Sequence, residues 1–312
     1  MACLQPPYGV AERRGRDIEV RGGVEAFAHR ADAATYEGVQ DFWDFIVSLN
    51  RRVDAAALNV GIAIGGGFAE LALEDHLRII SINVSGLVHI AHRVTKHMLE
   101  QGKGKILVVS SISATQPTPY ETVYGPSKAF GFIFAEGLRE EFRGTGVTVT
   151  ALLPGETDTE FHRNGGMANS LIGRATKNDS RLVAQQGFDA LMNDVDHVVG
   201  GDAQTKQTAI YNRTMSEVEK AARHAKFVRV DNSWDPNAYS YRQGAMHHEE
   251  RISSHVVSAR RMWNVTVRVC LSDELFFTAI FGHQQFRHYV YRCNIYPCSC
   301  RASAPCVGCD HA

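Results

Sequence analysis

The stretch KILVVSSISATQPTPYETVYGPSKAFGFIF, residues 105–134, decides the fold that we expect for this chain. It begins with the apolar, β-branched run Ile106–Val109, which is typical of a buried strand, and then breaks into serines. A proline-containing loop follows, and after it a helical pattern that carries Tyr124 and Lys128. Because open α/β sheets bind ligands at the carboxyl ends of their strands, Ser111 marks a candidate site there.

Tyr124 and Lys128 are four residues apart, so they share one face of a helix. A lysine ammonium beside a phenol favours the phenolate, and the spacing therefore predicts a lowered pKa for Tyr124. Such a tyrosine is a candidate proton donor and acceptor. The alternative interpretation is a half-buried tyrosine next to a surface lysine.

Strand and helix patterns alternate on both sides of this stretch. Buried strands are predicted at 53–64 and 147–153, short strands at 24–30 and 197–200, and helices at 36–50, 71–101, 180–192 and 215–227. This alternation predicts an α/β fold with a doubly wound parallel sheet. We expect the domain to cover residues 1–226.

The composition changes near residue 227. Six of the seven cysteines lie after residue 269, and no lysine follows Lys226. We therefore predict that residues 227–312 form an irregular tail rich in Cys, His and Arg. Cys306, Cys309 and His311 could offer ligands to zinc, but their spacing is irregular, and we predict no metal site.

The overall charge excludes some classes of partner. The formal net charge is −1, which argues against a general nucleic-acid or anionic-membrane binder. No uninterrupted apolar run is long enough to span a bilayer, and the first residues lack the apolar core of a secretory signal. The expected location is cytoplasmic.

Taken together, these motifs resemble those of the short-chain dehydrogenase/reductase family. Tyr124 and Lys128 match its Y-x-x-x-K, Ser111 stands thirteen positions earlier as its serine does, and Asn83 matches its helix asparagine. Further matches are Leu58–Gly61 with N-N-A-G, Pro154–Thr159 with PG-x-x-x-T, and Asp32 with the acidic residue after the third strand. The resemblance covers roughly residues 24–226 and implies a Rossmann-like sheet.

The resemblance also implies a function, NAD(P)-dependent hydride transfer between nicotinamide and a small carbonyl or alcohol substrate. Tyr124 would exchange a proton with the substrate oxygen, Ser111 would hydrogen-bond that oxygen, and Lys128 would lower the Tyr124 pKa and hold the cofactor ribose. Asn83 would hold a water that links Lys128 to solvent. The implied cofactor-binding residues are Asp32, Asn59, Gly61, Tyr124, Lys128, Pro154, Gly155, Thr157 and Thr159. Of the two cofactors, we expect NADP.

One family motif is missing from the sequence. The glycine-rich turn T-G-x-x-x-G-x-G that cradles the pyrophosphate is not found, and Gly61–Gly67 is a poor substitute. We therefore expect a sheet that lacks the family's first βαβ portion, with strand 55–60 as an exposed apolar edge and impaired cofactor binding. A catalytically silent fragment, or a protein–protein scaffold, is the alternative function.

Several residues have a second interpretation. Asp32 could cap the helix that begins near Tyr36, Thr157 and Thr159 could cap a helix leading to Phe161, and Asn83 could be a polar residue satisfied within its helix. Ser110 and Ser113 are alternatives to Ser111. Residues 161–179 match the family's mobile substrate cover but could be a surface loop. The resemblance further implies a homodimer or homotetramer formed through the helices that carry Asn83 and Tyr124.

Overall fold

The computed structural model describes residues 27–229 and two short strands further along the chain. The described strands are β1 (Arg30–Ala31), β2 (Ala55–Leu58), β3 (Gly104–Val109), β4 (Val147–Pro154), β5 (His197–Gly200), β6 (Val265–Thr266) and β7 (Thr278–Ile280). The α-helices are α1 (Tyr36–Ser48), α2 (Leu73–Ile80), α3 (Leu87–Gln101), α4 (Tyr124–Glu141), α5 (Phe161–Asn164), α6 (Leu171–Arg174), α7 (Ser180–Met192), α8 (Ala203–Tyr211) and α9 (Glu217–Val228). None of these helices is long and apolar enough to cross a membrane.

Strands β2 to β5 form a parallel sheet in the order β5-β4-β3-β2. Alternate residues of β3 face opposite sides of the sheet. Ile106 and Val108 pack in one apolar cluster with residues of α3 and α4, whereas Leu107 and Val109 pack in another with residues of α7. Both faces of the sheet are therefore buried under helices, which explains the continuous apolar run of β3 and confirms the predicted doubly wound α/β fold.

The outer edge of β2 is paired, contrary to the expectation of an exposed edge. Strand β7 lies antiparallel beside it, with Ala55 opposite Ile280 and Ala57 opposite Thr278. Such pairing satisfies backbone groups that a free apolar edge would expose. Strand β6 pairs antiparallel with β1. Both partner strands come from the region predicted to be irregular, while Cys306, Cys309 and His311 lie outside the described residues.

Other predicted elements differ in their bounds. The strand predicted at 24–30 is described only as the two residues of β1, and 24–26 lie outside the described residues. The helix predicted at 71–101 is interrupted by a π-helical turn, Ser81–Gly86. Gly86 allows the segment after β1 to pack closely on this turn, since a Cβ there would collide with the carbonyl oxygen of Ala33. Helix α8 was not predicted, and α5 and α6 lie within the predicted substrate cover.

Candidate active site

Ser111, Tyr124 and Lys128 meet at the carboxyl end of β3, and all three are buried. Tyr124 is the first residue of α4, and Lys128 follows one helical turn later. The Ser111 Oγ accepts a hydrogen bond of 3.1 Å from the Ser113 amide, and the Ser111 side chain is close enough to the Tyr124 phenol to lower its pKa. Ser110 is engaged elsewhere, since its Oγ donates to the Lys128 carbonyl at 2.7 Å. The geometry thus places Ser111, rather than Ser110, against Tyr124.

The ammonium group of Lys128 is held by the end of β3. Its Nζ donates to the Val109 carbonyl at 3.0 Å and lies 6.0 Å from the centre of the Tyr124 ring. Burial lowers the pKa of Lys128 to about 8. Gly61 faces this ammonium, and a Cβ at Gly61 would lie 2.7 Å from Nζ. The space that the lysine occupies therefore depends on glycine at position 61.

The pKa of Tyr124 is raised, not lowered as its spacing from Lys128 predicted. Burial is the main cause, and the nearby carboxylates of Glu121 and Glu156 act in the same direction. The hydrogen bond from Ser111 opposes them but is outweighed. The prediction was wrong because burial of the phenol outweighs the groups that favour its phenolate. The Lys128 ammonium donates its hydrogen bond to the Val109 carbonyl. In this arrangement Tyr124 keeps its proton throughout the neutral range.

Asn83 connects the loop after β2 to α4. Its Oδ1 accepts from the Ile62 amide, and its Nδ2 donates to the Ile62 carbonyl and to Ser127 Oγ, each at 2.9 Å. Ser127 Oγ donates in turn to the Tyr124 carbonyl at 2.6 Å. Both N–H groups of the Asn83 amide are thus used within the protein. Asn83 thus helps to position Tyr124 through Ser127. Its role in holding a water stays a prediction.

Asn59 is buried, with 6% of its surface exposed, yet neither atom of its amide has a hydrogen-bond partner among the described residues. Leaving such a group unpaired costs about 1–3 kcal/mol, so a ligand that pairs with it would recover that cost. Gly61 stands two residues further on, in the loop that reaches Lys128. Both observations fit the predicted nicotinamide-cofactor site on this side of Tyr124.

Pro154 and Gly155 end β4, where little space remains. A Cβ at Gly155 would lie 2.5 Å from Thr205 Cγ2, and the Gly155 amide donates to the Gly200 carbonyl at 2.8 Å. Asn178 secures the neighbouring loop because its Nδ2 donates to Thr205 Oγ1 at 3.0 Å and its Oδ1 accepts from a backbone amide. No local pattern around Asn178 indicated these contacts.

The two predicted threonines have different local roles. Thr157 is buried, and its Oγ1 donates to the Gly155 carbonyl at 2.8 Å. Thr159 Oγ1 accepts from the Phe161 amide at 3.3 Å, at the start of α5. The N-cap residue of α5 is Glu160, so the helix-capping alternative is wrong for both Thr157 and Thr159. Contact of either residue with a cofactor stays a prediction.

Asp32 lies in the turn between β1 and α1. Its Oδ1 accepts from the Ala34 amide at 3.0 Å and lies 3.7 Å from the guanidinium of Arg78. The residue that caps α1 is Thr35, whose Oγ1 accepts from the Gly38 amide at 3.0 Å. The capping interpretation of Asp32 is therefore wrong, and contact of Asp32 with adenine stays a prediction.

Residues from the predicted substrate cover pack against Tyr124. The ring of Phe161 lies 5.4 Å from the Tyr124 ring, and the fully buried Met167 belongs to the same apolar cluster. The amides of Gly65 and Gly66 donate to the carbonyls of Gly165 and Tyr120. The Gly65 amide is therefore used in a hydrogen bond to the substrate cover, and the Gly66 amide in one to Tyr120. Neither amide is free to bind a phosphate in this arrangement.

Helix α9 fixes the loop between Ser111 and Tyr124, a role that sequence reasoning missed. His224 lies 3.2 Å from the Pro119 carbonyl through Nδ1 and 3.5 Å from Glu121 Oε2 through Nε2. Arg223 donates to Gln116 Oε1 at 2.8 Å. The i, i+1 spacing of these two residues in a polar helix did not indicate which loop they would contact.

Glu136, Asp196 and His197 could together offer ligands to a metal ion in the described part of the chain. His197 Nδ1 lies 3.2 Å from a carboxylate oxygen of each acid. Glu136 and His197 are partly exposed and Asp196 is exposed, and exposed acidic groups of this kind are common without a metal ion. We assign no function to this group.

The sequence matches a known protein family and several of its members. A family model described as short chain dehydrogenase matches residues 11–168. The chain is 37% identical over 139 residues to sulfoacetaldehyde reductase 2 of Chromohalobacter salexigens, which covers 43% of this chain and 55% of that protein. It is 38% identical over 119 residues to serine 3-dehydrogenase of Agrobacterium fabrum, covering 37% of this chain and 47% of that protein. The chain thus spans about half the length of the curated relatives it matches.

Among solved structures, the chain resembles a short-chain dehydrogenase from Sphingobium yanoikuyae in complex with NADPH. The TM-score is 0.57 at 19% sequence identity, and the match covers 77% of this chain and 86% of that one. At this identity the likeness shows a common fold.

Proposed function

The chain belongs to the short-chain dehydrogenase family, and on that premise we propose that it is a NAD(P)-dependent oxidoreductase that interconverts a small carbonyl compound and its alcohol. The observation that carries the proposal is the buried contact between Ser111 and Tyr124, with Lys128 one helical turn away. Asn83 and Ser127 fix the start of α4, so the phenol is held in place before any substrate arrives.

The proposed chemistry of these residues follows from their protonation states. In the reducing direction, Tyr124 donates its phenolic proton to the carbonyl oxygen, which the Ser111 hydroxyl holds by a hydrogen bond. Lys128 carries the nearby positive charge that stabilises the phenolate left behind. The raised pKa of Tyr124 supports this direction because the residue then holds the proton that it must deliver.

The residues that would hold the nicotinamide cofactor lie around Tyr124. We propose that Asn59, Gly61, Pro154, Gly155, Thr157 and Thr159 form its binding surface, together with Lys128 and Tyr124. The bound cofactor supplies the hydride, and the protein supplies position and charge. NADP is the proposed form of this cofactor.

We propose self-association through α3 and α4 as a homodimer or homotetramer. Both helices expose large apolar side chains, namely Val88 and Leu99 on α3, and Phe130 and Ile133 on α4. Exposed apolar side chains of this size favour a protein interface. A cytoplasmic location is also proposed, and the absence of cysteine from residues 4–269 supports it.

Consumption of NADPH and NADH with a panel of small ketones and aldehydes tests the proposed activity. The chain should oxidise at least one cofactor in a carbonyl-dependent manner, and Tyr124→Phe should lower kcat by about 100-fold or more, because the proton donor is lost. Tyr211→Phe is a matched control, since Tyr211 is exposed and distant in sequence from the site. Equal rates for Tyr124→Phe and the unmodified chain would refute the assigned role of Tyr124.

A further inference from the structure

A buried carboxylate lies beside the phenol that we assign to proton transfer. Glu121 stands three residues before Tyr124, is only 3% exposed, and its carbonyl accepts from the Tyr124 amide at 2.9 Å. Thr118 Oγ1 donates to the same carbonyl, so the backbone at this point is fixed. The described ion-pair partner of the carboxylate is His224, at 3.5 Å. The half-buried Glu156 adds a second negative charge within electrostatic range of Tyr124.

His162 faces the same two carboxylates from the substrate cover. It is 8% exposed, and its Nδ1 has no hydrogen-bond partner among the described residues. Its neighbour Phe161 packs on the Tyr124 ring, and the charges of Glu121 and Glu156 both act on its imidazole. Burial is the main cause of its lowered pKa, so His162 is neutral at pH 7 and one ring nitrogen can accept a hydrogen bond. An unpaired buried nitrogen at this position indicates a ligand group that is still to be supplied.

The side chains of Glu121, Glu156 and His162 offer mainly hydrogen-bond acceptors. Ionised carboxylates only accept hydrogen bonds, and a neutral imidazole accepts through one nitrogen. A cationic donor would therefore be bound favourably, whereas an anionic group would meet two negative charges. Lys177 is the described cation that also acts on His162, but its Nζ donates to the Gly173 carbonyl at 2.7 Å. The charge of Lys177 is thus directed towards the backbone of α6.

On the premise of the oxidoreductase function above, we propose that the substrate carries an ammonium group. This group is bonded to the carbon adjacent to the one that is oxidised or reduced. The Glu121 carboxylate binds this ammonium, and His162 accepts one of its hydrogen bonds. In the reducing direction, Tyr124 gives its proton to the carbonyl oxygen of an amino ketone and NAD(P)H gives a hydride to the carbonyl carbon, which yields the amino alcohol, NAD(P)⁺ and the Tyr124 phenolate. Oxidation of the amino alcohol is the reverse of this step and starts from that phenolate. Glu121 is therefore a residue that determines specificity, not one that takes part in proton transfer.

Four secondary alcohols of nearly equal size test this assignment. They are 1-amino-2-propanol, 1,2-propanediol, 2-butanol and lactate, in which the group beside the carbinol carbon is cationic, hydroxylic, apolar and anionic. We expect kcat/KM for 1-amino-2-propanol to exceed that for each of the others by about tenfold or more, the usual size of one charge-assisted hydrogen bond. Glu121→Gln should lower kcat/KM for 1-amino-2-propanol by about tenfold more than it changes kcat/KM for 2-butanol, so that the preference is lost. Glu141→Gln, at the exposed end of α4, is the matched control and should keep the preference.

Binding to the Tyr124→Phe variant separates this inference from the proposed function. Calorimetric titration with 1-amino-2-propanol should show binding that Glu121→Gln weakens by about tenfold, whether or not the chain turns over. Binding without turnover in the unmodified chain would support the amine site and refute the oxidoreductase function. Turnover of 2-butanol or lactate in preference to the amino alcohol, or an equal loss for all four in Glu121→Gln, would overturn the amine site alone. Absence of both binding and turnover would overturn both proposals.

Discussion

A Cβ atom added to Gly61 would lie 2.7 Å from the Nζ of Lys128, and 3.4 Å from the Oδ1 of Asn83. The loop after β2 therefore packs so closely on Lys128 at the start of α4 that a methyl group at position 61 would not fit unless the ammonium moved. The distance to Asn83 is an ordinary van der Waals contact, so of these two predicted site residues it is Lys128 whose position depends on Gly61.

Gly61→Ala should displace the Lys128 ammonium from the Val109 carbonyl and lower carbonyl reduction by about tenfold or more, because small misplacements of catalytic groups are costly. Steady-state kinetics together with a thermal melt would measure this. Gly137→Ala on α4 is the control, since a Cβ there meets nothing within 4 Å. That variant should keep its activity and gain up to about 1 kcal/mol in free energy of unfolding. Unchanged kinetics in Gly61→Ala would contradict the assigned contact.

Asn83→Ala should lower the free energy of unfolding by about 2–4 kcal/mol, because it leaves the Ile62 amide and carbonyl without their partners. Chemical denaturation of the full chain measures the loss. Asn164→Ala, at the exposed end of α5, should change the same quantity by less than about 0.5 kcal/mol. A loss in Asn83→Ala no larger than in the control would show that the Ile62 hydrogen bonds do not contribute to stability.

The sequence allowed the fold and the centre of the site to be predicted for physical reasons. Strand β3 is buried on both faces, so its apolar run could be recognised without knowledge of its neighbours. Tyr124 and Lys128 lie on one helix, where spacing alone decides which residues share a face. Helix α8, with its weak apolar period, and the short α5 and α6 lacked such a local signal.

Long-range contacts could not be predicted in this way. The pairing of β7 with β2 joins residues more than two hundred positions apart, and no local pattern indicates it. Likewise, the direction of the Tyr124 pKa depends on burial and on Glu121, and both are results of the folded structure. Spacing shows which groups can meet, whereas the balance of burial and charge appears only after folding.

Lys128→Met should stabilise the chain at pH 7 while it lowers carbonyl reduction by about 100-fold. Burial holds the pKa of Lys128 at about 8, against an ordinary value of 10.5, so the folded state carries a buried charge at neutral pH. Removing that charge should raise the free energy of unfolding by about 1–3 kcal/mol. Denaturation at several pH values measures this gain.

The pKa of Lys128 also determines how the stability gain of Lys128→Met depends on pH. Between pH 8 and 10.5 the unfolded chain keeps a proton on Lys128 that the folded chain has released, so the stability of the unmodified chain rises with pH in this window. The advantage of Lys128→Met should therefore shrink across the window and be absent above it. A variant that is less stable than the unmodified chain at pH 7 would contradict the burial argument.

Carbonyl reduction should fall as the pH rises through about 8, since the Lys128 ammonium then loses its proton and can no longer stabilise the phenolate. Tyr124 does not cause this decline, because its raised pKa keeps it protonated well above that pH. The pH profile of kcat/KM, measured from about pH 6 to about pH 10, checks this prediction. A profile that stays flat to the upper end of this range would show that the charge of Lys128 is not required.

The central claim is that Ser111, Tyr124 and Lys128 form the proton-transfer half of a hydride-transfer site. Mass spectrometry of the alcohol formed from a small ketone and NADPH deuterated at the nicotinamide C4 tests it most directly. We predict that deuterium appears on the carbinol carbon with the unmodified chain, and that Tyr124→Phe lowers its rate of appearance by about 100-fold. Deuterium incorporation at the same rate in both proteins, or in neither, would contradict the claim.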